Sequence, residues 1–248
     1  MKETGLMFKA PLVRAILAGQ KTQTRRIVKW KDLQKGLNLG FSGLRAGKTG
    51  DNWVLESNTP TSSEWRCTPT PCPFGKPGDR IYVRETWADL IAVSPSSDEP
   101  MAIGPGERLI ETPTSWTDDK GRTRWNYDGQ VIAYRANSNV EFCDGDGFSG
   151  EFADKSDMPR WRPSIHMPKE FARIWLEITG VRVERLLSIT EADAKAEGAV
   201  LKNSPAAHLT SYRRGFQELW ESTGGDWPAN PWVWVIDFKT ISTTGRPA

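Results

Sequence analysis

The chain has 248 residues, with 33 Lys+Arg against 31 Asp+Glu for a net charge of 33 − 31 = +2, and 38% of it is hydrophobic. That length can bury a sizeable core. No apolar run approaches the ~18–20 residues of a bilayer-spanning helix, and the near-neutral balance gives no general case for wrapping duplex nucleic acid. Three cysteines (Cys67, Cys72, Cys143) argue against a disulfide framework. The two histidines, His166 and His208, come without H-E-x-x-H, paired C-x-x-C or G-x-S-x-G, which argues against the usual zinc and Ser-His-Asp hydrolases. No Walker A or G-x-G-x-x-G loop is present. Met1-Lys-Glu-Thr-Gly-Leu-Met-Phe lacks the apolar run of a secretory signal, so the expected location is cytoplasmic, with no membrane, metal or cofactor.

Residues 5–9 read as a first strand. Pro11 suits the first turn of a helix carrying Leu12, Val13, Ile16 and Leu17 at helical spacing, and Gly19 suits its C-cap. Gln20 to Val28 begins as a turn and becomes β-prone, and 31–75 is polar and reads as mostly irregular. Lys76-Pro-Gly-Asp79 is a turn before a strand over 81–87, whose alternation puts Ile81, Val83, Glu85 and Trp87 on one face. Residues 88–160 read as a second loop-rich insertion, with one strand at Val131–Arg135. Trp161 to Pro168 forms a Pro-bracketed loop, and Ala172 to Leu187 reads as two strands broken near Gly180. Ser188-Ile-Thr-Glu191 has capping-box spacing for a short helix ending at Gly198. A helix over 205–222 carries Tyr212, Phe216, Leu219 and Trp220, and Pro231–Phe238 is a closing strand.

The segment Ile16-Leu-Ala-Gly-Gln-Lys-Thr-Gln-Thr-Arg-Arg26 resembles the G-x-K-T-x-T-x-R signature of the ASCH domain, a branch of the PUA-like superfamily. Lys76 to Glu85, Ile189 to Gly198 and the closing Trp-Val-Ile-Asp-Phe strand resemble later parts of that family, in the same order. The resemblance implies an α+β fold: a small PUA-like β-barrel with flanking helices, one domain over 1–248 with irregular insertions at about 31–75 and 88–160. One branch of the family consists of amidohydrolases that deacylate N4-acetylcytidine and related N4-acylcytosines. Carried over onto this chain, its catalytic set is Lys21, Thr24 and Glu197. Gln20, Gln23, Arg25 and Gly198 depart from that pattern and put the substrate range in doubt.

The implied chemistry stands on its own terms. Amide hydrolysis without a metal needs a nucleophile, a base and an acid for the departing amine. Thr24 supplies the hydroxyl, a desolvated Lys21 the base, and Glu197 near a helix C-terminus the acid. The plain alternatives are a solvated lysine, a strand threonine and a surface glutamate. Glu85 is the rival carboxylate, with a salt bridge to an arginine as its alternative. Arg26 would anchor a substrate carbonyl or Glu85, or form a surface ion pair. Trp87, Tyr134 and Trp161 would stack a base or fill the core, and His166 would touch substrate or fix its loop. Cys67 and Cys72 lack partner ligands for a metal. The expected activity is a metal-free amidohydrolase that frees cytidine and a carboxylic acid from N4-acetylcytidine and larger acyl analogues. Its partner is a small nucleoside substrate. The alternatives are an RNA- or modified-nucleobase-binding module and a ribonuclease.

Overall fold

The structure, a computed structural model, describes residues 1–57, 66–91, 107–110, 115–117, 123–125, 130–137, 161–203 and 210–247; Cys143 and His208 lie outside them. In chain order the elements are β1 (Glu3–Met7), α1 (Ala10–Leu17), β2 (Gln23–Ile27), β3 (Leu44–Thr49), β4 (Asn52–Ser57), β5 (Thr70–Pro71), β6 (Arg80–Arg84) and β7 (Trp87–Ile91). Then come β8 (Glu107–Ile110), β9 (Ser115–Thr117), β10 (Thr123–Trp125), β11 (Gln130–Tyr134), β12 (Trp175–Arg185), α2 (Glu191–Ala196), β13 (Lys202–Asn203), β14 (Thr210–Ser211), α3 (Tyr212–Ser222) and β15 (Trp232–Ser242). The fold is mixed α+β, rich in sheet and poor in helix. None of its helices is long and apolar enough to cross a membrane.

The largest sheet has five strands in the order β1-β6-β12-β15-β2. A closed barrel requires the first and last strands to pair. Here β1 and β2 are the two ends of the strand order, so among the described residues the barrel expected from the sequence does not close. β12 runs unbroken through Gly180, against the expected break. The glycine instead admits a close neighbour: a Cβ there would stand 3.0 Å from Asp237 Oδ2.

Chain contacts divide the protein into two units. The first comprises Met1–Thr4, Ala15–Ile81 and Leu176–Ile241; the second comprises Gly5–Arg14, Tyr82–Trp175 and Ser242–Ala248. In the first, α3 presents Phe216 and Trp220 to Leu186, Ile189, Ala194, Ala199, Val233 and Val235, with Tyr212 and Leu219 packed alongside, as the helical spacing predicts. Its described start is Tyr212, because Ser211 caps the helix by accepting from Arg214 N. The stretch expected to be irregular contains the antiparallel meander β3-β4-β5. Leu44, Val54 and Leu55 are its buried apolar residues, beside buried Glu56, Ser57 and Thr70, and the exposed positions of β3 carry Arg45, Lys48 and Thr49. That sparse apolar content hides the strands from periodicity. In the second unit, β11 pairs antiparallel with both β7 and β8, and β9 pairs with β10, so part of the expected 88–160 loop is sheet.

α3 lies against the 199–200 segment at Gly215, where a Cβ would stand 1.9 Å from Val200 O. Backbone cannot yield as a flexible side chain does. Gly215→Ala is therefore expected to cost about 1–3 kcal/mol, read as a lowered urea midpoint with an unchanged m-value.

Candidate functional site

Lys21 is placed by the end of α1. Gly19, at φ +69°, turns the chain, and the amides of Gln20 and Lys21 both donate to Ala15 O, at 2.9 and 3.0 Å. Thr22 then ties two further elements together: its N–H donates to Ala196 O at 2.9 Å, and its carbonyl accepts from Phe238 N at 2.8 Å. Glu197 reaches the same place from α2. That helix starts at Thr190, whose side chain accepts from Asp193 N while Asp193 reaches back to Thr190 N. The capping box is therefore Thr190/Asp193, two residues beyond the Ser188/Glu191 expected from spacing. Glu197 is the C-cap, and Gly198 follows at φ +80°. A Cβ at 198 would meet Ala15 Cβ at 3.0 Å and Lys21 Cβ at 3.2 Å.

Lys21 and Glu197 consequently meet although 176 positions apart. Lys21 Nζ donates to Glu197 Oε2 at 2.8 Å, to Glu197 O at 2.7 Å and to Gln23 O at 2.6 Å. Both residues are buried, at 1% and 3% exposure, so neither the solvated-lysine nor the surface-glutamate alternative holds. Burial holds the Lys21 ammonium below the usual lysine range; the Glu197 carboxylate opposes that shift, and Arg26 and Arg25 add to it.

Gln23, Thr24, Arg25 and Arg26 follow on β2, opposite Asp237, Ile236, Val235 and Trp234 of β15. Gln23 and Arg25 meet on one side of β2, where Arg25 Nη1 donates to Gln23 Oε1. Thr24 is 1% exposed. Arg26 is partly buried, which lowers its proton affinity, and the Glu197 charge restores part of it.

The residues that motif reading missed are Arg25 and its acidic partners. Arg25 is fully buried and pairs with Glu197 Oε1 at 3.2 Å and Glu184 Oε1 at 2.5 Å. Polar or charged residues at alternate positions of β12 (Arg182, Glu184) and of β2 (Gln23, Arg25) are the available signal.

The second unit holds a separate cluster around Glu85. Alternation predicts its inward face, and it is 1% exposed. Arg173 grips it in a two-pronged pair, Nε to Oε1 at 2.9 Å and Nη2 to Oε2 at 3.0 Å, and also donates to Asn137 Oδ1 at 2.8 Å. This is the arginine salt bridge named as the alternative. Burial nonetheless pushes the Glu85 carboxyl up, and Arg173 offsets only part of that. Tyr134 is covered by Arg173, 4.2 Å from its ring, and donates to Phe171 O at 2.6 Å. Trp87 is covered by Phe171 at 5.0 Å and Arg162 at 5.1 Å, and Arg135 lies 5.3 Å from the Trp161 ring. His166 is exposed, closing the turn Ser164–His166. These are packed or loop-closing positions. Cys67 Sγ accepts from Leu55 N, and Cys67 and Cys72 are free thiols. Among the described residues, no group of three His, Cys, Asp or Glu is arranged to hold a metal.

Arg173→Met would leave Glu85 buried without its cation, at an expected cost of about 3–5 kcal/mol in urea unfolding. The loss should shrink as pH falls. A carboxyl raised in the folded state binds more protons there than in the unfolded chain, so acid favours the fold across that window.

Comparison of the chain with protein-family models, curated proteins and solved structures yields no match.

Proposed function

We propose that the protein is an amidohydrolase that removes the acyl group from N4-acylated cytosine nucleosides, using Lys21, Thr24 and Glu197 in an ASCH-like, PUA-related fold. One observation carries the reading. Lys21 and Glu197, which the family resemblance selects from opposite ends of the chain, form a buried ion pair at 2.8 Å, with Thr24 three residues beyond the lysine.

The reaction runs through this pair. Lys21 passes an ammonium proton to Glu197 across their hydrogen bond and becomes a neutral amine, which desolvation favours. The amine takes the Thr24 hydroxyl proton as Oγ attacks the acyl carbon. Arg26 steadies the oxyanion. Collapse breaks the bond from that carbon to the exocyclic nitrogen, which takes the proton held by Glu197 and leaves as cytidine. Water then hydrolyses the threonine ester to the carboxylic acid and restores the hydroxyl.

Release of cytidine from N4-acetylcytidine, followed spectrophotometrically, is the test. Turnover should persist in EDTA and extend to larger acyl groups. No cytidine from any N4-acyl nucleoside would sink the reading. A second reading, a nucleobase-binding module without turnover, is favoured by one fact: all three Lys21 ammonium hydrogens already have acceptors. It expects binding of cytidine derivatives with none consumed.

A further inference from the structure

Glu197 has two carboxylate oxygens, and each is held by a different cation: Oε2 by Lys21 at 2.8 Å and Oε1 by Arg25 at 3.2 Å. Arg25 turns its other nitrogen outward, to Glu184 Oε1 at 2.5 Å and Asp193 Oδ2 at 3.6 Å. An outer frame holds those acids in turn. Gln23 Nε2 donates to Asp193 at 3.2 Å and Asp237 at 2.6 Å. Arg182 spans Glu184 at 3.3 Å, Asp193 at 3.0 Å and Asp237 at 2.8 Å. Buried Arg25 thus ties the Glu197 carboxylate to this half-exposed frame, while Gln23, whose carbonyl accepts from Lys21, ties in the lysine.

We infer that Arg25 is a positioning residue for the deacylation: its guanidinium anchors one Glu197 oxygen to the Glu184/Asp193 frame and so presents the other to Lys21. The inference rests on the deacylase reading for its role in catalysis. The terminal torsion of a glutamate is broad and roughly two-fold, so a carboxylate held by lysine alone can swing and exchange its oxygens. A planar guanidinium holds two carboxylates in fixed directions, which a single ammonium cannot do. Arg25 also has an electrostatic effect. Glu197 faces Lys21, Arg25 and Arg26 together, so positive charge is in excess beside the lysine. Removing Arg25 therefore makes Lys21 hold its proton more tightly.

Arg25→Gln and Arg25→Lys test this in the full-length protein. Two readouts are used: the NMR titration of the Lys21 side chain, assigned by its loss in Lys21→Arg, and kcat and KM against pH with N4-acetylcytidine. Arg25→Gln should raise the Lys21 titration and carry the falling limb of kcat up with it, with kcat reduced on the plateau below that limb. Arg25→Lys keeps the charge, so the titration should stay near wild type while kcat falls and KM does not. A fall in Arg25→Gln that is equal at every pH, with the Lys21 titration unmoved, would overturn the proposal. So would Arg25→Lys with wild-type kcat, which decides the matter if the glutamine variant does not fold. If the wild type shows no turnover, the deacylase reading fails on its own. The Lys21 titration in Arg25→Gln then still decides whether Arg25 acts on the pair.

Discussion

Lys21→Arg is expected to lose turnover by ~10²–10⁴-fold although the positive charge is kept. Arginine does not deprotonate in a protein, so it cannot accept the Thr24 hydroxyl proton. The wild-type rate should hold level up to the lowered value of the Lys21 amine and fall above it, because the pair then loses the one proton that Glu197 gives to the leaving nitrogen. Thr24→Ala should lose about as much as Lys21→Ala, and the double variant little more, since the two groups act as a unit. Thr24→Ser keeps the hydroxyl and should retain part of the rate. Cytidine release by each variant across pH 6–10 (roughly the span from neutral to lysine-like values) checks the set. Near-normal turnover in Lys21→Arg would remove the lysine from the base role.

The second large effect is on stability. Glu197→Leu leaves an ammonium buried against two carbonyls, with Arg25 and Arg26 still facing it. An expected cost of about 3–5 kcal/mol follows, because one partner of a buried pair has been removed. Lys21→Met should cost less, since Glu197 keeps Arg25. The double variant Lys21→Met/Glu197→Leu should recover much of the loss, giving a coupling energy well beyond additivity in urea unfolding. The pH direction follows from proton counting. In Glu197→Leu the folded state holds fewer protons at Lys21 than the unfolded chain between the lowered and the ordinary lysine values. Stability of that variant should therefore rise with pH through the window. A Glu197→Leu protein as stable as wild type at neutral pH would mean that the pair is not holding a buried charge.

Parts of this arrangement are legible in the residues and parts are not. Helix α1 and its glycine stop, the inward Glu85 and the apolar stripe of α3 all follow from spacing, because burial imposes a period of 3.6 or 2 on the side chains. The pairing of Lys21 with Glu197 does not follow from spacing. The motif resemblance selects both residues, and α2 makes the pairing by returning to the end of α1. Gly180 misleads because glycine both ends strands and permits close approach, and nothing local says which; Asp237 decides it from β15. The β3-β4-β5 meander is hidden because a strand with one buried residue, Leu44, followed by Arg45, Gly47 and Lys48 looks like loop. Arg25 departs from the signature, yet its alternation with Gln23 puts both on one side of β2.

Gly198 turns these distances into a selection rule. With φ at +80°, a torsion few residues adopt, and two Cβ atoms within 3.2 Å of where its own would stand, the position has no volume for a side chain. A library randomised at 198–201 and screened for cytidine release should return glycine alone at 198. Val200 and Leu201, exposed at 63% and 47%, should accept almost any letter. Asparagine, the residue that otherwise best tolerates left-handed backbone, should be absent too. It meets the torsion, but its Cβ would push the end of α2 off the lysine stem.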